Sequence, residues 1–141
     1  MSRRKGRVIA FQALYSYDVG GLGLDELLKL EWVGRATSGQ SEAGTETYDF
    51  ARILIAGTLN HLSDIDVLIK RHLSAKWDFS RLNRVSLAIL RMSVFSLRYQ
   101  PETHPSIVID EAVSIAKEYG ADESFKFVNA LLDSIRKELA T

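Results

Sequence analysis

Between Ser80 and Pro101 the chain carries apolar residues on two interleaved helical stripes. Val85, Ala88, Ile89, Met92, Phe95 and Tyr99 form one, and Leu87, Leu90, Val94 and Leu97 form the other. A helix that is apolar over most of its circumference has to be surrounded, so it belongs in the middle of a bundle. Ser80 is the expected cap and Tyr99 the expected end, because Pro101 does not continue a helix. The remaining side carries Arg84, Arg91 and Arg98, seven residues apart. They are either a phosphate-binding ridge or a polar seam, with Arg91 paired to a carboxylate such as Asp110 or Glu111. The seam is the favoured reading, since a buried guanidinium needs a partner.

The rest of the chain supplies helices to surround it. Val8, Phe11, Leu14 and Tyr15 give one stripe on a first helix from about Arg4 to Tyr17. Gly20, Gly21 and Gly23 end it. A short helix is expected from Asp25 to Val33, on Leu24, Leu27, Leu28 and Trp32, followed by a mobile surface loop from Gly34 to Thr45. Tyr48 to His61 has helical spacing again, and Ser63 with Asp64 is the expected cap of the helix carrying Ile65, Leu68, Ile69 and Leu73. In the last third, Val108, Ala112, Ile115 and Tyr119 recur at helical spacing until Gly120 stops them. Asp122, Glu123 and Ser124 favour a new start, and Val128, Leu131, Leu132, Ile135 and Leu139 form its stripe. The expected fold is all-α, a bundle of about seven helices.

At 141 residues the chain is expected to be one domain with a sizeable core. It has no cysteine, which excludes disulfides and thiolate metal sites. The basic start has no apolar segment of signal-peptide type behind it, and no run approaches membrane-span length, so a cytoplasmic protein is expected. His61, His72 and His104 never stand four apart, and Asp64, Asp66 and the Asp110-Glu111 pair are read as first-turn acids at positive helix ends. No glycine-rich phosphate loop or Gly-x-Ser-x-Gly is present. Enzyme function, metal and cofactor have little support.

The formal net charge is zero, from 18 basic and 18 acidic residues, yet the positive charge is concentrated at one end. Arg3, Arg4, Lys5 and Arg7 stand in the first seven residues, with no acid before Asp18. Such a pole suits a short phosphate backbone rather than general coating of nucleic acid. Arg4 and Arg7 continue the apolar stripe backwards by one turn, so that turn is expected to overhang the body or face an anionic partner. Guanidinium groups on a rigid helix can hold phosphate bidentately and stack on unpaired bases. Phe127 lies about 100° around its helix from Val128. It is either an extra core residue or an exposed stacking surface, and the stacking surface is the expectation.

Three segments in order resemble the NusB family of bacterial transcription antitermination factors. Arg3-Arg4-Lys5-Gly6-Arg7 with Gln12-Ala13-Leu14-Tyr15 looks like that family's arginine-rich first helix. Leu90-Arg91-Met92 resembles its "iLRm" core helix, and Phe127 to Asp133 is similar to its "FVNGxLD" signature. The resemblance runs from Arg3 to Ile135 and is weak between Gly20 and Thr47. Val8, Asp110, Ser96 and Ala130 depart from the pattern, which usually has Glu, Asn, Glu and Gly there. The Ala130 change suggests tighter limits on helix approach, and Ser96 the loss of a polar partner in the bundle.

The resemblance implies two small sub-bundles packed together, and a factor that binds boxA RNA with NusE, a small-subunit ribosomal protein. It implies joining the RNA polymerase antitermination complex, notably on ribosomal RNA operons. Carried over by motif, the RNA-binding residues are Arg3, Arg4, Lys5, Arg7, Tyr15, Glu123 and Phe127, and the Arg81–Arg91 helix is the best contributor to a NusE surface. Monomer and homodimer both stay open. A NusB-like fold also begins some RNA cytosine methyltransferases; no catalytic domain follows Thr141, so a free-standing factor is expected. The other alternative is a helical protein–protein adaptor without specific RNA binding.

Overall fold

The computed structural model describes residues 2–29 and 41–140, with side chains from residue 45 onward in the second segment. Seven α-helices lie among the described residues: α1 (Arg3–Gly20), α2 (Leu24–Lys29), α3 (Ser41–Asn60), α4 (Leu62–His72), α5 (Arg84–Tyr99), α6 (Pro105–Tyr119) and α7 (Ser124–Leu139). A 3-10 turn, Phe79–Arg81, precedes α5. Helix α5 is the shared axis. On one side it meets α1 and α3, with α2 resting on α3; on the other it meets α4, α6 and α7. The all-α expectation holds, and so does the division into two sub-bundles.

Both apolar stripes of α5 are buried: Leu87, Ile89, Leu90 and Val94 have no solvent-accessible surface. Burying a side chain of this size contributes roughly 1.5–3 kcal/mol, which is why the all-round apolar helix takes the centre. Close approach of α3 to α5 depends on Gly57, where a Cβ would overlap the Phe95 ring. Gly6 does the same between α1 and α3, since a Cβ there would stand 2.6 Å from Phe50 Cδ2.

Several local expectations need correction. Helix α4 begins at Leu62 with His61 at its cap position and no side-chain cap bond, so Ser63 and Asp64 lie within its first turn. The cap of α5 is Asn83, whose side chain accepts from Ser86 N–H at 3.0 Å; Ser80 sits inside the 3-10 turn, capped by Asp78. Asp110 and Glu111 fall in the second turn of α6, which starts at Pro105 with His104 accepting from Ser106 N–H. Residues 41–45 belong to α3 rather than to a loop. Trp32, Val33 and residues 34–40 lie outside the described residues. Ala130 is exposed and governs no helix approach, while buried Ser96 donates to Gln100 Oε1 at 2.7 Å.

Two of the three heptad arginines, Arg84 and Arg91, form the seam, with other partners than expected, while Arg98 is exposed with its guanidinium carbon 5.8 Å from the Tyr99 ring centroid. Arg91 is 9% exposed and reaches both carboxylate oxygens of Asp66 at 2.9 Å, with Asp18 at 3.9 Å. Arg84 holds Asp18 at 3.1 Å and donates to the Leu82 and Ser80 carbonyls. Asp66 is thus an ion-pair partner rather than a helix-start acid, and neither Asp110 nor Glu111 serves Arg91.

Candidate nucleic-acid interface

The basic arm is the first two turns of α1, and its start is fixed by three hydrogen bonds. Ser2 Oγ accepts from Lys5 N–H at 3.0 Å, Ser2 C=O accepts from Gly6 N–H at 3.1 Å, and Ser2 N–H donates to Thr47 Oγ1 at 3.0 Å. The cations are therefore presented on a formed helix rather than a fraying end.

The arm does not overhang the body. Arg7 is 5% exposed and donates to Glu111 Oε1 at 3.2 Å. Burial pushes its guanidinium below the ordinary value; Glu111 opposes that shift and Arg3 adds to it. Arg4 donates to Ser114 Oγ at 3.0 Å, to Glu111 Oε2 at 3.5 Å and to Glu118 Oε2 at 3.1 Å. One carboxylate, Glu111, thus holds two of the four arm cations. The anionic partner that the first turn required is supplied from within the chain, by α6. Arg3 stays exposed with its guanidinium carbon 4.8 Å from the Phe50 ring centroid, and Arg7 lies 5.4 Å from the same ring. Lys5 is half-buried.

Tyr15 is exposed and lines a groove of about 330 Å³ with Phe11, Gln12, Ser16, Val85 and Tyr119. Phe11 and Tyr119 fix its floor with ring centroids 5.3 Å apart. Glu123 is exposed at the start of α7 and meets Lys126 Nζ at 3.1 Å. Its φ of 64° makes it the one non-glycine residue with positive φ among the described residues. Phe127 is half-buried, packed partly on the core and tilted against Trp77 with centroids 5.0 Å apart. It is neither a core residue nor a bare platform. Its neighbours in a small groove are His72, Leu73, Ser74, Trp77, Ala130 and Leu131 rather than the arginines.

Sequence reasoning missed two sets of residues. Glu111, Ser114 and Glu118 stand at i, i+3 and i+7 on α6, a polar stripe whose spacing alone signals a face turned to a polar partner. Trp77 lies in the turn after α4 among Ser74, Ala75, Lys76 and Asp78, where no helix face is available to bury it. The three histidines sit at helix ends. His72 bridges Ser134 and Glu138 Oε1 at 2.7 and 2.8 Å, and His61 stacks on Tyr99. Among the described residues no group of His, Asp and Glu is arranged to hold a metal ion, and no helix is long and apolar enough to cross a membrane.

The NusB family model matches residues 4–137. The chain belongs to the NusB family. The transcription antitermination protein NusB of Treponema denticola is 46% identical over 138 residues, covering 98% of each chain. A solved structure of T. maritima NusB is 34% identical with a TM-score of 0.84, covering all of this chain and 94% of that one. A crystal structure of antitermination factors NusB and NusE in complex with double-stranded RNA contains a chain that is 29% identical, with a TM-score of 0.82 and 96% coverage of both. The NusB match includes Arg4, Arg7, the Glu111 clasp and the Phe127 segment.

Proposed function

We propose that this chain is a transcription antitermination factor that binds boxA RNA together with NusE and joins the RNA polymerase antitermination complex, notably on ribosomal RNA operons. It acts by binding in the cytoplasm, as a single RNA-binding domain without catalysis or cofactor. The carrying observation is the NusB match over residues 4–137 combined with a helical basic pole on a chain of zero net charge. The related NusB chain crystallised with NusE and double-stranded RNA supports both partners.

The four arm cations have unequal parts in this reading. Arg3, exposed, and Lys5, half-buried, are the phosphate contacts. Arg4 is a switchable contact at the surface, and Arg7 is the anchor that holds the arm against α6. Tyr15 supports the arm helix beside its groove, while Glu123 and Phe127 form the second RNA-facing segment. Few phosphate contacts give weak binding alone, so NusE is expected to strengthen it.

The test is titration of a labelled boxA-like RNA with this protein, then with the equimolar NusE pair. A partner-dependent gain and a steep loss of affinity with salt support the reading. Equal affinity with and without NusE removes the cooperative part, and capture of a protein partner indifferent to RNA favours the adaptor.

A further inference from the structure

Trp77 and Phe127 come from elements far apart in sequence, and each is preceded by a lysine: Lys76-Trp77 in the turn after α4, Lys126-Phe127 on the first turn of α7. The fold brings the two aromatic rings to 5.0 Å between centroids with their planes 44° apart. Trp77 leaves 54% of its surface in solvent despite that contact. The rings form an open cleft, continued by a groove of about 170 Å³ over Leu73, Ser74, Ala130 and Leu131.

The cleft is built rather than accidental. Ser74 holds the turn that projects Trp77, its carbonyl accepting from Trp77 N–H at 3.0 Å and its hydroxyl accepting from Lys76 N–H at 3.2 Å. Phe127 is fixed by α7, whose Val128 and Leu131 are buried next to it. His72 closes one wall with both ring nitrogens engaged by Ser134 and Glu138, so it contributes shape rather than a donor. The lysines next to the two rings in the chain are lightly engaged: among the described residues Lys76 has no ion-pair partner, and Lys126 is exposed and pairs with Glu123. An exposed pair of that kind is weak and yields readily to phosphate.

We propose that Trp77 is a base-stacking residue, and that Trp77 and Phe127 together accept one unpaired base of single-stranded RNA while Lys76 and Lys126 take the flanking phosphates. The occupant is assigned as RNA rather than an apolar protein segment because each of the two aromatic residues has a lysine as its neighbour in the chain. Alternating aromatic and cationic groups match the alternation of base and phosphate. The proposal rests on the RNA-binding reading above and extends it, because Phe127 belongs to that reading and Trp77 does not.

Trp77 reports on its own occupancy. The chain has two tryptophans, so in full-length protein carrying Trp32→Phe the emission comes from Trp77 alone. Titrating single-stranded boxA-like RNA with NusE present is expected to quench that emission along the binding curve. Trp77→Ala is expected to weaken RNA binding by about five- to a hundredfold, Trp77→Tyr to restore most of it, and melting temperatures to stay close to the parent. A folded Trp77→Ala protein with undiminished RNA affinity overturns the proposal while leaving RNA binding intact. Emission that responds to NusE alone and not to RNA overturns it in favour of a protein occupant. If the parent chain binds no RNA with or without NusE, the functional reading falls and this site with it.

Discussion

Two rows of arginine look alike in the sequence and end in opposite electrostatic situations. Along α5, Arg84 and Arg91 are ion-paired within the fold by Asp18 and Asp66. Along α1, the clasp of Glu111, Ser114 and Glu118 takes Arg7 and part of Arg4, leaving Arg3 over Phe50 at the surface. The difference is set by where the carboxylates stand. Asp18 and Asp66 reach α5 from α1 and α4, so the seam is ion-paired, buried at Arg91 and half-buried at Arg84. Only one face of the arm meets α6, so the arm keeps an outward positive side. Arginine spacing shows neither outcome; the position of the acids decides both.

The largest expected effect lies in the seam. Arg91→Ala removes the bidentate partner of Asp66 and leaves that carboxylate beside the apolar surface of α5. It should cost about 3–5 kcal/mol in denaturant unfolding. RNA affinity of the folded fraction should match that of the parent. A stable Arg91→Ala protein with weakened RNA binding would turn the seam back into a phosphate ridge.

Next comes Arg7→Ala, which separates anchor from contact. Glu111 keeps Arg4, so the stranded charge is smaller, and a loss of about 1–3 kcal/mol is expected. This follows from the anionic-partner outcome of the two expected for the first turn, with Glu111 as the partner. If thermal melting is unchanged and RNA affinity alone falls, Arg7 is a surface contact after all.

The helices were legible because their signal is local. The two stripes of α5, the stripe ending at Gly120 and the stripe from Val128 to Leu139 each fix a helix and its buried face. The caps were less so. Ser80 and Asn83 are both good cap residues, and the choice between them follows from the backbone path of the α4–α5 connection, while α4 starts at Leu62, ahead of the good cap residues Ser63 and Asp64. The site was half legible. The cations and Phe127 could be named from charge and spacing. The partner of Arg7, however, lies 104 residues away, and the contact of Trp77 with Phe127 joins two segments that share no local pattern.

Arg3→Ala tests the outward side of the arm. One lost phosphate contact should lower the slope of log affinity against log salt by about one unit and weaken binding to all RNA sequences alike. Stability should change by less than about 1 kcal/mol, the worth of its stacking on Phe50. An unchanged salt slope would remove Arg3 from the interface.

The smallest effect is expected from Glu118→Gln, and it asks whether the clasp restrains the arm. Glu118 is 57% exposed and binds the outer nitrogen of Arg4, which is itself 37% exposed. A pair this open contributes little to stability, so melting should be unaltered. The substitution keeps the shape and an amide oxygen that can still accept from Arg4, but it removes one negative charge beside the arm and weakens that hold. The outer nitrogen of Arg4 can then turn to a phosphate more readily, and RNA affinity should rise by roughly two- to fivefold at low salt, with the gain fading as salt screens the arm. The sign is what matters: Arg3→Ala weakens RNA binding, and this substitution strengthens it. Affinity that is unaltered at low salt would mean that Arg4 stays locked to α6 in the complex, making it a second anchor beside Arg7 rather than a contact in reserve.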